Sequence, residues 1–126
     1  MRSVFVDTSV WVDHFRHRNV VLVGLLELDL VMVHPLVWGE IACGTPPNRS
    51  QTLVDLSGLQ QIQQASLGEA MQFIERERLF GLGCGLTDLL LLASTLMSPG
   101  VDLWTVDKRL CTLAERFGVI YRPALQ

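Results

Sequence analysis

Cysteine and histidine are scarce in this chain, and neither occurs at a spacing that binds metal. The three cysteines, Cys43, Cys84 and Cys111, lie far apart and form no Cys-x-x-Cys pair. The three histidines form no His-x-x-x-His pair on one face of a helix. The sequence therefore predicts neither a disulfide framework nor a zinc site. We expect small buried cysteines, and histidines at the surface or at helix ends.

Long apolar runs are also absent, although hydrophobic residues make up 49% of the chain and the mean hydropathy is +0.34. A membrane span needs about 20 apolar residues, and Glu27 and Asp29 interrupt the run that begins at Val20. The N-terminal run is cut by Asp7 and precedes no signal-peptide cleavage site. We therefore expect a cytoplasmic protein with no membrane association, whose apolar surface is covered by a partner.

Positive charge is limited. Lysine and arginine number 10 against 13 aspartates and glutamates, which gives a net charge of -3. Neutralising the phosphates of a nucleic acid requires clustered lysine and arginine. The composition alone therefore argues against a broad nucleic-acid-binding surface.

Short apolar runs alternate with segments of helical periodicity along all 126 residues. Strands are predicted at 4–6, 30–33, 101–105 and 119–121. Helices are predicted at 8–15, 20–30, 35–43, 48–58, 66–80, 87–97 and 108–117. The valines of 20–30 also allow a strand, and residues 60–64 have no clear pattern. The alternation predicts one domain, residues 1–126, built as an α/β sandwich around a mainly parallel central sheet.

Acidic residues stand where these elements begin or end. Asp7 follows the first strand, Glu40 lies on the helix after the second, Asp88 opens a helix after a glycine-rich loop, and Asp107 follows the strand at 101–105. The carboxyl ends of parallel strands share one sheet edge, so several of these acids should converge there. Each could instead cap a helix or lie in solvent. Their joint placement favours a shared site.

Clustered carboxylates repel one another unless a cation neutralises them, so a cluster of this kind normally implies a bound metal ion. The expected ligands are oxygen atoms, with no cysteine or histidine at hand. Such ligands suit Mg²⁺ or Mn²⁺ better than Zn²⁺.

Motifs along the chain resemble those of a known family. They are Val-Asp-Thr-Ser-Val-Trp-Val-Asp at 6–13, Pro-Leu-Val-Trp-Gly-Glu at 35–40, Gly-Leu-Gly-Cys-Gly-Leu-Thr-Asp-Leu-Leu-Leu-Leu-Ala-Ser at 81–94 and Leu-Trp-Thr-Val-Asp-Lys-Arg-Leu at 103–110. In this order they resemble the PIN domain, and most closely its VapC subgroup, the ribonuclease toxins of type II toxin-antitoxin modules. Thr87 and Val106 depart from the family pattern, but neither removes an acid.

The resemblance implies a PIN-like α/β/α sandwich and a divalent-metal-dependent endoribonuclease. One or two Mg²⁺ or Mn²⁺ ions would orient and deprotonate a water for attack on a phosphodiester, giving 5′-phosphate and 3′-hydroxyl ends. Each ion adds two positive charges at the scissile phosphate, which offsets the acidic composition. The resemblance implies Ser9 and Thr105 as hydroxyl neighbours and Asp7 and Asp88 as metal ligands. The implied acidic quartet is Asp7, Glu40, Asp88 and Asp107.

Partners follow from the same resemblance and from the apolar composition. A cognate antitoxin should block the acidic pocket, and the apolar segments 20–30 and 53–59 favour a homodimer. Several cations could grip the RNA backbone on either side of the cleaved bond, although a solvated surface role is open for each. These cations are Arg49, Arg76, Arg78, Lys108 and Arg109.

Three other classes of protein share features with this sequence. A phosphoryl-transfer enzyme of the Asp-x-Asp type is disfavoured because Ser9 stands where the second aspartate would be. A receiver domain has a similar length, but its paired acids after the first strand are absent. A non-catalytic binding module of the same fold is the main alternative, and the presence of all the acids argues against it.

Overall fold

A computed structural model of the protein describes residues 2–123, which form strands and helices in alternation. The strands are β1 (Ser3–Val6), β2 (Val31–Val33), β3 (Gln60–Gln61) and β4 (Val101–Trp104). The helices are α1 (Thr8–Arg16), α2 (Val20–Glu27), α3 (Pro35–Ala42), α4 (Arg49–Ser57), α5 (Leu67–Glu77), α6 (Leu86–Met97) and α7 (Lys108–Arg116). The predicted α/β class is confirmed.

The strands form one fully parallel sheet in the order β3-β2-β1-β4. β1 is flanked on both sides, with Phe5 level with Met32 of β2 and with Leu103 of β4. Val4, Phe5 and Val6 are all buried. Parallel strands covered on both faces have apolar residues at successive positions, which explains why these three residues of β1 are all apolar.

The helices pack in two groups around this sheet. α1 packs against α3 and α3 against α4, while α5 packs against α6, which also contacts β4. α5 begins with a capping box, as predicted: the Ser66 hydroxyl accepts from the Glu69 N–H at 3.0 Å, and the Glu69 carboxylate accepts from the Ser66 N–H at 2.9 Å. No helix in residues 2–123 is long and apolar enough to span a bilayer.

Several element boundaries differ from the prediction. Gln60–Gln61, which had no pattern, form β3 by pairing with β2. The predicted strand at 119–121 is a single parallel bridge between Leu103 and Ile120. α5 ends at Glu77 because Arg78 adopts a left-handed conformation, with φ 54°. α6 begins at Leu86, so Asp88 lies inside its first turn and not at its cap.

The prediction of buried cysteines was wrong. Cys43 is exposed, and Cys84 and Cys111 are half-buried. His34 does lie at a helix end, as expected, but it is buried. Its Nδ1 accepts from the Leu36 N–H at 3.0 Å and caps α3. Imidazole therefore takes the capping role that serine, threonine, asparagine or aspartate usually fills.

Candidate active site

The candidate site lies where the direction of strand addition reverses. The chain places β2 and then β3 on one side of β1, and later places β4 on the other side. In open α/β sheets, ligands bind outside the carboxyl ends of the strands at such a reversal. Asp7 follows β1 and Thr105 follows β4 at this point, and the Asp7 N–H donates to the Trp104 carbonyl at 2.9 Å.

The predicted acids line one cavity at this sheet edge. Its volume is about 380 Å³, and its walls come from α1, α3, α6 and the start of α7. The lining residues are Asp7, Thr8, Ser9, Leu36, Glu40, Thr87, Asp88 and Asp107. Three of these parts follow parallel strands, whose carboxyl ends share one edge, and the first turn of α6 supplies the fourth.

Asp7 is the most enclosed of these acids, with 7% of its surface exposed. Its Oδ2 accepts hydrogen bonds from the Ser9 hydroxyl and from the Thr105 hydroxyl, each at 2.8 Å. The two hydroxyl oxygens are 3.3 Å apart. Both hydroxyls donate to the same oxygen, Oδ2. Ser9 and Thr105 therefore orient this carboxylate, although Asp7 itself makes no side-chain cap to α1.

Neighbouring carboxylates contribute to a raised pKa at both Glu40 and Asp88. Partial burial raises the pKa of Glu40, and the charges of Asp7 and Asp88 raise it further. The nearby Thr8 hydroxyl lowers the pKa of Glu40, although the two groups do not form a well-aligned hydrogen bond. Partial burial raises the pKa of Asp88, and the charges of Asp7 and Asp107 raise it further. A hydrogen bond with the Gly85 backbone lowers it. A cation would relieve this mutual repulsion.

Asp107 both caps a helix and lines the acidic cavity. It caps α7, because its Oδ1 accepts from the backbone N–H groups of Arg109 and Leu110, both at 3.0 Å. Its own N–H donates to the Thr105 hydroxyl at 3.1 Å. The capping interpretation of Asp107 is thus confirmed, and the same residue also lines the acidic cavity.

The side chains fit a hard divalent cation that keeps part of its water shell. All the charged groups lining the cavity are carboxylates. Across residues 2–123, no three Asp, Glu, His or Cys side chains are close enough together to ligate one ion. Mg²⁺ is usually held by one or two carboxylates and retains several waters. The cavity is lined by four carboxylates, so its chemistry suits such an ion.

The predicted RNA-binding cations do not line this cavity. Arg49 donates to the Ala42 and Gly44 carbonyls at the end of α3, at 2.5 and 3.2 Å. Arg76 and Arg78 lie at the end of α5. Lys108 and Arg109 begin α7 beside Asp107.

Arg16 was missed as a candidate. It lines an adjoining cavity of about 410 Å³ together with Phe15, Thr45 and Pro46, and this cavity shares Glu40 with the acidic one. In the sequence, Arg16 reads only as the end of a helix. Its proximity to Glu40 depends on the packing of α1 against α3.

Comparison with known proteins identifies the class. No protein-family model matches the sequence. The chain is 40% identical over 116 residues to Ribonuclease VapC32 of Mycobacterium tuberculosis strain CDC 1551 / Oshkosh, covering 92% of this chain and 94% of that protein. The same identity and coverage hold for Ribonuclease VapC32 of strain ATCC 25618 / H37Rv. The parallel sheet with helices packed around it is the architecture of a PIN-like α/β sandwich. With similarity over this length, the chain belongs to the VapC subgroup of the PIN-domain family.

Proposed function

We propose that this protein is a divalent-metal-dependent endoribonuclease that acts in the cytoplasm as the toxin of a toxin-antitoxin pair. The observation that carries the proposal is the placement of Asp7, Glu40, Asp88 and Asp107 around one cavity at the carboxyl ends of β1 and β4. The relatives described above are named as ribonucleases, which supports the same reaction.

The side chains have separable roles in this proposal. Asp7 and Asp88 hold Mg²⁺ or Mn²⁺, while Glu40 and Asp107 add negative charge around it. When bound, such an ion would activate a water and stabilise the charge on the leaving oxygen. Ser9 and Thr105 fix the Asp7 carboxylate through their hydrogen bonds to Oδ2.

The RNA backbone would be held by cations around the two cavities. Arg16 lies in the cavity that shares Glu40, and Lys108 follows Asp107, which lines the acidic cavity. These positions allow contacts to phosphates on either side of the cleaved bond, since arginine and lysine supply most phosphate contacts in such complexes. Arg49, Arg76 and Arg78 lie further along the surface and would contribute through general electrostatic attraction.

Incubation of the purified protein with a mixed RNA pool tests the proposal. We expect cleavage with Mn²⁺ or Mg²⁺, fragments with 5′-phosphate ends, and no cleavage with EDTA. Asp88→Asn is the matched control, because it keeps the side-chain volume and removes one ligand charge. The alternative, a non-catalytic binding module, predicts RNA binding by both proteins and fragments from neither.

Inhibition would come from an antitoxin that places a cation among the carboxylates. Arginine suits this role because its guanidinium binds a carboxylate through two parallel hydrogen bonds. Such a side chain competes with the metal, so Mn²⁺ should weaken the complex, and Asp88→Asn should weaken it too. Equal affinities of wild type and Asp88→Asn, with and without Mn²⁺, would show that inhibition acts outside the acidic cavity.

Exposed apolar side chains support the homodimer that the composition predicts. Val20 and Leu28, at the two ends of α2, are 58% and 60% exposed, and Val54 on α4 is 64% exposed. A symmetric interface is the commonest way to cover such residues. We therefore expect sedimentation at micromolar concentration to give twice the chain mass of 14.1 kDa. A clean monomer would exclude this assembly.

A further inference from the structure

The glycine-rich loop between α5 and α6 is in close contact with α7. Arg109, on the first turn of α7, donates from Nη1 to the Gly83 carbonyl at 3.3 Å. A Cβ atom added at Gly83 would lie 2.7 Å from Arg109 Cδ and Nη1 and 2.8 Å from Cζ. Gly83 also has φ +86°, a conformation that other residues rarely adopt. The Arg109 side chain therefore lies against the loop at Gly83, where an added Cβ would have to displace it.

This contact joins the two segments that carry Asp88 and Asp107. Gly85 is the N-cap residue of α6, and Asp88 lies in the first turn of that helix. On the other side, the backbone N–H of Arg109 donates to the Asp107 carboxylate. One residue is thus bonded to the acid that caps α7 through its backbone and to the loop before Asp88 through its side chain.

We propose that Arg109 and Gly83 are positioning residues that tether the loop to α7 and so hold Asp88 in place relative to Asp107. The inference rests on the nuclease function proposed above, because it assigns a metal-holding role to the acids. It replaces the expectation from the sequence that Arg109 grips the RNA backbone. No ion pair of residues 2–123 includes Arg109, and its exposed guanidinium donates to the Gly83 carbonyl.

The electrostatic and positioning roles of Arg109 predict opposite changes in metal affinity. Removing a positive charge beside a carboxylate cluster should tighten the binding of a divalent cation, since repulsion between like charges falls. Loss of a supporting residue should weaken it, typically by about tenfold to a hundredfold. Lys108→Gln removes the same charge one residue earlier, from a side chain for which the structure shows no loop contact, and is therefore the matched control for Arg109→Gln.

Titration calorimetry with Mn²⁺ alone measures this difference without RNA. We expect Arg109→Gln to weaken Mn²⁺ binding by about tenfold, and Lys108→Gln to leave it unchanged or tighten it slightly. Arg109→Lys keeps the charge but loses the guanidinium, so it should resemble Arg109→Gln. If both glutamine variants tighten Mn²⁺ binding equally, Arg109 acts only through its charge and the positioning role is excluded.

Two glycine variants test the contact from the other side. Gly81→Ala and Gly83→Ala both place alanine at positive φ, at +72° and +86°, but nothing lies within 4 Å of a Cβ at Gly81. Strain from the backbone is therefore common to both variants, and displacement of Arg109 is specific to Gly83→Ala. We expect only Gly83→Ala to weaken Mn²⁺ binding. Combining it with Arg109→Gln should add little further loss, because both changes break one contact.

Amide hydrogen exchange of residues 81–88 in the metal-free protein provides a readout that does not depend on the reaction. The exchange should be faster in Arg109→Gln and Gly83→Ala than in Lys108→Gln and Gly81→Ala. Equal exchange in all four variants would overturn the tether. If the wild type neither binds Mn²⁺ nor cleaves RNA, the proposed function fails, while faster exchange in the first pair would still establish the tether.

Discussion

Asp7 and Asp107 occupy equivalent positions in the chain but are bonded differently. Each is the residue before a helix that follows a parallel strand, and each has an extended backbone, with φ near -71° and -72°. Asp107 caps α7 through two backbone N–H groups, whereas the Asp7 side chain makes no cap. The Asp7 carboxylate is instead held by the hydroxyls of Ser9 and Thr105.

The difference arises from the neighbours of each residue. β1 is central in the sheet and Asp7 is buried, so its carboxylate meets a hydroxyl supplied from the end of β4. Asp107 is exposed and lies beyond β4, where the nearest donors are those of its own helix. Substitution of Asp7 should therefore affect catalysis, and substitution of Asp107 should affect stability as well.

Replacing the metal-holding acids should have the largest effect. In Asp7→Asn and Asp88→Asn, an amide cannot supply the charge that holds the ion, so several kcal/mol of transition-state stabilisation is lost. This corresponds to a fall in cleavage rate of at least about a thousandfold. Single-turnover cleavage with Mn²⁺ and thermal melting of the metal-free protein would be measured together. Near wild-type cleavage by either variant, with an unchanged melting temperature, would remove that residue from the site.

Removing the hydroxyls that donate to Asp7 should have the next largest effect. Thr105→Val keeps the shape of the side chain but removes the hydrogen bond to Oδ2, and Ser9→Ala removes the other. Loss of a group that orients a metal ligand typically reduces activity or affinity by about tenfold to a hundredfold. Mn²⁺ affinity and cleavage rate should fall in parallel. A change in melting temperature without a change in Mn²⁺ affinity would show that these hydroxyls serve the fold alone.

Two substitutions of Asp107 separate its role as the cap of α7 from its role as a negative charge at the cavity. Asparagine is as good an N-cap as aspartate, so Asp107→Asn should keep stability and reduce cleavage by less than Asp7→Asn. Asp107→Ala should lose about 1 kcal/mol of unfolding free energy in addition. Urea denaturation of both variants checks this order. Equal stability of Asp107→Asn and Asp107→Ala would mean that the cap contributes nothing measurable.

The smallest effect should be a pH dependence of stability in the metal-free protein. The folded-state pKa of Asp88 is raised above its usual 3.8, so its contribution to stability is fully present below pH 3.8 and is lost as pH rises through the raised value. Asp88→Asn should therefore be more stable than wild type at pH 7. This advantage should shrink as pH falls towards 4. Melting temperatures of the two proteins across this range test the sign, and a constant difference would contradict it.

Much of the fold follows from local patterns in the sequence. The uninterrupted apolar run of Val4–Val6 predicts a buried parallel strand, and Ser66 with Glu69 predicts the start of α5. Both rest on interactions between residues close in the chain or on burial of a whole segment. The position of the acids after parallel strands follows from the same reasoning, since the strands have a common direction.

Other features could not be predicted because their partners are distant in the chain. Gln60 and Gln61 are exposed, and they form a strand only because the edge of β2 offers backbone partners. Arg109 has the sequence appearance of a surface cation, and its contact with Gly83 depends on how α7 packs beside the loop before α6.

The sequence by itself determined the alternation of strands and helices, the burial of β1 and the identity of the acids, because burial and capping are read from neighbouring residues. Only the tertiary structure decided which groups each carboxylate bonds to. Asp7 and Asp107 share the same local signal, and a hydroxyl 98 residues away from Asp7 in the chain directs its carboxylate into the site instead of onto a helix end. Hydrogen-bond geometry at that range depends on packing, which no local pattern encodes.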